Sequence, residues 1–170
     1  LMEEVYTTPK PGLVDREDTG AHTDMNCQTF QKSTEAIAED LAAMFEAGYS
    51  WEADPKTLFP LLRERGKKTE EKMFVATGGV NTHKGIIFTI GILAAAAGIS
   101  LRNYGKIESE SVCRISLEMT KKELEQDLRK LKQSSGITHG EKIYCHLGEK
   151  GVRGLAMTGY PILCELTVPH

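Results

Sequence analysis

Several features that mark common protein classes are scarce in this sequence. The four cysteines, Cys27, Cys113, Cys145 and Cys164, include no Cys-x-x-Cys pair, which argues against a zinc knuckle and a dense disulfide framework and favours reduced thiols. Positive charge is not in excess, because 21 Lys and Arg stand against 24 Asp and Glu, a net charge of −3. Bulk charge therefore argues against a nucleic-acid-binding protein.

Long apolar runs and strand patterns are also scarce. The one nearly uniform apolar run, residues 86–99, has 14 residues, fewer than the about 20 that a membrane-spanning helix needs. We interpret it as the core of a helix that is buried on all sides. No segment alternates strongly between polar and apolar residues, although residues 162–168 have the composition of a strand. We find no signal peptide, repeat or internal boundary, and expect a cytoplasmic protein with one domain over residues 1–170.

Helical periodicity covers most of the chain and predicts an all-α bundle around a buried central helix at about residues 84–98. Glycines and prolines set the other expected boundaries: Gly48 should stop a helix, Pro60 should kink one and Gly66 should break one. The other predicted helices run over residues 30–47, from Asp54 toward Arg65, over residues 69–76, from Ser109 or Ser111 toward Lys132, and from Thr138 through Leu147.

The opening loop, residues 7–25, carries a dense set of charged and metal-competent groups on non-helical backbone. Pro9 and Pro11 stiffen the backbone on both sides of Lys10, and Gly12 permits a turn or a close approach to a ligand. Asp, Arg and His side chains follow within a few residues. The same features also fit an ordinary proline-punctuated surface loop.

A second cluster, residues 78–85, precedes the apolar helix. Glycines ahead of a helix leave backbone N–H groups free to face an anion, and Lys84 adds a full positive charge in the first turn. The order Lys84-Gly85 and the helical segment before the cluster exclude a Walker A loop. Alternatively, Asn81 or Thr82 caps the helix while Gly78 and Gly79 make the turn. A third cluster, residues 151–161, places Arg153 among glycines as a possible phosphate contact.

These three clusters resemble, in the same order, the signatures of the triphosphoribosyl-dephospho-coenzyme A synthases. The first signature corresponds to residues 4–16 with residues 20–25, the second to residues 76–85, and the third to residues 151–154 with residues 159–161. The resemblance implies an enzyme that joins the triphosphoribosyl group of ATP to the ribose 2′-hydroxyl of 3′-dephospho-coenzyme A and releases adenine. The product would become the prosthetic group of the acyl carrier subunit of citrate lyase or malonate decarboxylase.

With ATP as the implied substrate, the clusters suggest roles for individual residues. A triphosphate is normally bound with Mg²⁺ held by carboxylates and with lysine, arginine and backbone donors. The candidate metal ligands are Asp15 and Asp24; the candidate acid or base groups are Asp24, His22 and His83; and the candidate substrate contacts are Lys10, Arg16, Gly78, Gly79, Asn81, Thr82, Lys84 and Arg153. We expect the site where the opening loop meets residues 81–85. His139, Cys145, His146 and His170 are interpreted as structural.

The resemblance also implies that the chain is incomplete. It begins without Met, and family members have an earlier helical segment and a later Asp, Asn and His-Arg-Gly-Gly motif that this chain does not contain. The chain alone is therefore expected to have little activity. Leu155 also stands where the family usually has a polar or acidic residue, so no acidic role is assigned there.

Two other functions fit the same residues. A metal-dependent hydrolase could cleave an N-glycosidic bond with the same metal-binding and phosphate-binding groups, and would differ in that water, rather than a hydroxyl acceptor, receives the ribosyl group. A non-catalytic nucleotide-binding fragment is expected if the absent motif is essential. A homo-oligomer is also compatible with the sequence.

Overall fold

We describe a computed structural model of the chain over residues 1–131 and 139–163. The described residues form helices and no strand, which confirms the all-α prediction. The helices are α1 (Met2–Tyr6), α2 (Cys27–Tyr49), α3 (Phe59–Thr77), α4 (Lys84–Tyr104), α5 (Ser109–Leu131), α6 (His139–Leu147) and α7 (Gly151–Met157), with a 3-10 turn at Pro55–Thr57 before α3. Lys132, Thr138, His170 and residues 164–168 lie outside the described residues.

The apolar helix α4 is central, as predicted, and packs against α2, α3, α5 and α7. It runs to Tyr104, beyond the predicted end, and is not buried on all sides, because Ile86 and Ile90 are 37% and 38% exposed. At 21 residues, and with an 18-residue window of mean hydropathy 1.9, α4 is long and apolar enough to cross a membrane, so its length does not exclude a membrane span as the 14-residue run predicted. The core helix of a soluble protein passes the same test, and 44% of the relevant window is buried here.

The sequence predicted that Gly48 would stop helix α2, but the helix continues to Tyr49. Gly48 is buried where α2 crosses α4, and a Cβ added there would overlap the Ala95 carbonyl group, lying 2.7 Å from its carbon. Gly98 makes the reciprocal contact, since its added Cβ would lie 2.6 Å from the Tyr49 nitrogen. These glycines therefore permit a close helix crossing, which requires no left-handed backbone conformation.

Helix α3 is one continuous helix where the sequence predicted two pieces. Pro60 lies in its first turn, where a backbone N–H has no intrahelical partner to lose, so it causes no kink. Gly66 lies inside the helix, because a single glycine weakens a helix without ending it. The left-handed Gly78 ends α3, with φ of 67°.

The expectation of reduced thiols is wrong for Cys113, which is disulfide-bonded. The absence of a Cys-x-x-Cys pair excludes only local pairing, since folding can bring distant cysteines together. Cys27 and Cys145 are not disulfide-bonded. Ile162, where a strand was possible by composition, lies in a helical turn.

Candidate functional site

Asp15 organises the opening loop. Its Oδ2 accepts hydrogen bonds from the Thr8 hydroxyl at 2.7 Å and the Lys10 backbone N–H at 3.0 Å. Its Oδ1 accepts from the backbone N–H groups of Glu17 and Asp18, both at 2.8 Å. The Thr8 hydroxyl and the backbone donors hold the pKa of the Asp15 carboxyl well below its usual range. Both carboxylate oxygens are therefore occupied in shaping the loop.

The two cations of this loop fasten it to α1. The Lys10 ammonium donates to Glu4 Oε1 at 2.9 Å and to the Glu4 carbonyl at 2.8 Å. The Arg16 guanidinium lies 4.1 Å from the centre of the Tyr6 ring, in a cation–π contact. Both residues were predicted to contact phosphate, and that role stays a prediction. In the structure their partners are Glu4 and Tyr6 of α1.

His22 and Asp24 form an exposed pair at the end of the loop. The His22 Nδ1 lies 3.7 Å from Asp24 Oδ1, with the two side chains 42% and 60% exposed. Their proximity agrees with the idea that His22 orients Asp24. Their catalytic and metal-binding roles stay predictions.

A pH experiment tests the structural role of Asp15. Because its folded-state pKa is lowered, its ionised form stabilises the folded state above the unfolded pKa of about 4, and this contribution is lost as the pH falls further. We expect Asp15→Asn to lower the unfolding midpoint at pH 7 and to reduce the difference in midpoint between pH 7 and pH 3. Asp24→Asn is the control, since that carboxylate is exposed. Equal pH dependence in wild type and Asp15→Asn would contradict the assignment.

The second cluster begins with a tight turn. Gly78 and Gly79 both have positive φ, 67° and 94°, and the Gly79 N–H donates to the Phe74 carbonyl at 2.7 Å. The Asn81 side chain accepts from the Lys84 N–H at 3.2 Å, so Asn81 helps to begin α4, as the capping alternative predicted. Thr82 instead donates its hydroxyl hydrogen to Ser33 Oγ at 2.7 Å.

His83 is buried, with 3% of its surface exposed. Its Nδ1 lies 2.6 Å from Ser33 Oγ, and its ring meets the Phe30 ring edge to face, with centroids 5.1 Å apart. Burial lowers the pKa of His83, although the charge of Glu4 in α1 partly opposes this. His83 is therefore neutral at pH 7 and ties the beginning of α4 to α2.

A cavity of about 790 Å³ lies between α3, α4, α5 and the segment from Tyr144 to Arg153. It brings the second cluster, through Asn81, Lys84 and Gly85, beside the third, through residues 151–153. None of the described residues that line it belongs to the opening loop. The site expected between the opening loop and residues 81–85 is therefore not this cavity.

Positive charge predominates in the cavity wall although the chain is acidic. The cations are Arg63, Lys67, Lys84, Lys150 and Arg153, and the carboxylates are Glu70, Asp127 and Glu149. The Lys84 ammonium lies 3.0 Å from Glu70 Oε2, and the Arg63 guanidinium lies 2.7 Å from Asp127 Oδ2. Among the described lining residues, five cations against three carboxylates give a local excess suited to a polyanion.

Sequence reasoning missed the contribution of α3 to this wall. Arg63, Lys67, Glu70 and Phe74 follow one another at intervals of three or four residues, which places them on one face of a helix. The predicted break at Gly66 divided this face between two helices. One continuous helix through Gly66 places all four residues on the same face.

The inner part of the cavity is apolar and aromatic. The rings of Phe59 and Phe88 meet edge to face with centroids 6.3 Å apart, and the Arg63 guanidinium lies 4.9 Å from the centre of the Phe59 ring. Ile92, Leu124 and Tyr144 complete this part and are buried. An apolar interior with a charged rim is typical of sites for organic anions.

The described residues do not form a ready-made site for Mg²⁺. They contain no group of three or more His, Cys, Asp or Glu side chains placed to hold a metal ion, and four donors already occupy the oxygens of Asp15. Asp15 and Asp24 therefore do not form a metal site by themselves, and their role as ligands of a Mg²⁺ shared with a triphosphate stays a prediction.

Comparisons with known proteins agree with the motifs. The profile of the family described as ATP:dephospho-CoA triphosphoribosyl transferase matches residues 1–170. Proteins named probable 2-(5''-triphosphoribosyl)-3'-dephosphocoenzyme-A synthase in Streptococcus pyogenes serotypes M49 and M1 are 38% identical over 181 residues, and the serotype M2 protein is 37% identical. These alignments cover 100% of this chain and 62% of each relative, so the chain spans less than two thirds of their length. No solved structure matches the chain. With matches along its whole length, the chain belongs to the ATP:dephospho-CoA triphosphoribosyl transferase family.

Proposed function

We propose that the protein carrying this chain transfers the triphosphoribosyl group of ATP to the 2′-hydroxyl of 3′-dephospho-coenzyme A and releases adenine. Family membership over all 170 residues supports this proposal most strongly. The cation-rich cavity between the second and third clusters supports it independently, because both substrates carry polyphosphate and an aromatic base.

The proposed reaction exchanges one bond at the ribose anomeric carbon for another. The 2′-hydroxyl oxygen of dephospho-coenzyme A bonds to C1′ of ATP, the bond from C1′ to N9 of adenine breaks, and the hydroxyl proton is balanced by protonation of adenine. The triphosphate is retained, so Lys84 and Arg153 can bind it throughout. The transition state should resemble an oxocarbenium ion, which a nearby carboxylate stabilises.

Within the cavity, Glu70 and Asp127 are the carboxylates proposed to face the reacting ribose. Asp24, His22 and His83 remain predictions for acid or base chemistry, and His83 would act as a neutral group because burial lowers its pKa. Mg²⁺ is proposed only as the counterion of ATP, and no step is assigned to a metal held by the protein. We propose a cytoplasmic protein whose product is the prosthetic-group precursor of a citrate lyase or malonate decarboxylase acyl carrier protein.

The test is a product assay on the protein that carries this chain. We expect one adenine for each dephospho-coenzyme A consumed, and neither ADP nor pyrophosphate. A single displacement inverts the anomeric centre, so the proton coupling constant of the new linkage should indicate the α configuration.

Omitting dephospho-coenzyme A is the control. Adenine released at the same rate without it would assign the site to N-glycosidic hydrolysis. ADP or pyrophosphate as the stoichiometric product would contradict the proposed transfer, and a β linkage would contradict the single displacement.

A further inference from the structure

Two glycines in the cavity wall have no packing contact that requires them. Gly66 lies inside α3 and Gly85 in the first turn of α4, on different walls of the cavity. Among the described residues, a Cβ added to Gly66 would meet nothing within 4 Å, and one added to Gly85 would meet only Val152 Cγ1 at 3.9 Å. Neither has the positive φ that would favour glycine.

Other helical glycines of the bundle contrast with this pair. Gly48 and Gly98 are needed where α2 crosses α4. Gly91 also lines the cavity, but its added Cβ would lie 2.5 Å from Met44 Sδ. Packing explains these three, and it does not explain Gly66 or Gly85.

Glycine inside a helix is unfavourable for folding relative to alanine. At Gly66 the folded chain has room for a methyl group, so alanine would be accepted without strain. The space that Gly66 leaves opens into the cavity, one turn from Glu70 and beside Lys67. Gly85 follows Lys84 directly. Both open spaces therefore lie in the charged part of the cavity.

We infer that Gly66 and Gly85 determine which ligand the cavity accepts, by leaving room for the polyphosphate of ATP to lie against the backbones of α3 and α4. The phosphates then face Lys84 and Arg153, and the adenine lies in the apolar part beside Phe59 and Phe88. This inference rests on the proposed function for the identity of the ligand. Gly66 lies outside the three sequence clusters, so no motif indicates this steric role for it.

A series of side chains of increasing volume at position 66 tests the inference by equilibrium ATP binding and thermal unfolding. We expect Gly66→Ala to raise the unfolding temperature and weaken ATP binding about threefold, and Gly66→Met to weaken it about tenfold or more, because each occupies ligand space. Val75→Met is the matched control, since Val75 is an exposed α3 residue outside the cavity lining. It should leave ATP binding unchanged.

Unchanged ATP affinity in folded Gly66→Met overturns the inference; if that variant does not fold, unchanged affinity in Gly66→Ala does so. Weaker binding of dephospho-coenzyme A alone also overturns it, because the space would then belong to the acceptor. The proposed function is judged separately by adenine release. Weaker ATP binding by the Gly66 variants, together with no adenine release by the wild-type protein, would contradict only the transfer reaction. Adenine release by the wild-type protein, together with unchanged ATP affinity in the variants, would contradict only the steric role of Gly66.

Discussion

Replacing Lys84 with alanine should weaken ATP binding by about tenfold to a hundredfold, the range expected when a hydrogen bond to a charged group is lost. The Lys84 ammonium lies in the cavity wall 3.0 Å from Glu70 Oε2. Its removal takes away a phosphate contact and also leaves the Glu70 carboxylate without that partner, which adds repulsion toward the triphosphate. Both effects act in the same direction.

The fold should tolerate this change. Alanine is a better helix former than lysine, and the Lys84 side chain is 42% exposed, so its ion pair contributes little to stability. Equilibrium binding and thermal unfolding of the same samples separate the two effects.

Lys72→Ala is the matched control for Lys84→Ala. Lys72 is also paired with a carboxylate, Asp40 at 2.7 Å, but it does not line the cavity. Its replacement should leave ATP affinity unchanged. Equal losses of affinity in the two variants would indicate a general electrostatic effect, and unfolding of Lys84→Ala would return the second cluster to a purely structural role.

Replacing Gly48 with alanine should lower the free energy of unfolding by about 3 kcal/mol or more, at the upper end of the range for overpacking. The added methyl group would overlap the Ala95 carbonyl, so α2 and α4 would have to separate. Since α4 is the centre of the bundle, the change would spread to the core residues around it. Urea unfolding followed by circular dichroism measures the loss.

Gly66→Ala is the matched control for Gly48→Ala. Each substitution adds one methyl group inside a helix, but Gly66 has open space where Gly48 has backbone. Gly66→Ala should raise the free energy of unfolding by about 0.5–1 kcal/mol, the usual gain from alanine in a helix. If both substitutions lowered the free energy of unfolding by similar amounts, the close crossing of α2 and α4 would not be the cause of the loss in Gly48→Ala.

The family was recognisable from the sequence because its signatures are local. Residues 4–16, 76–85 and 151–161 keep their order and spacing whatever the fold. The capping role of Asn81 was also predictable, since a cap depends on residues within one turn of the helix. The roles of Lys10 and Arg16 were not, because Glu4 and Tyr6 occupy them only in the folded loop.

The local sequence by itself determined that the chain is helical, that residues 86–99 form its centre and that three clusters carry the family resemblance. Periodicity and capping act over a few residues, so they can be read without the fold. Only the tertiary structure decided which clusters share a cavity, that α3 supplies one of its walls, and that Gly48 serves a helix crossing. These depend on contacts between residues far apart in the chain, and neither hydrophobic pattern nor residue type specifies which distant surfaces meet.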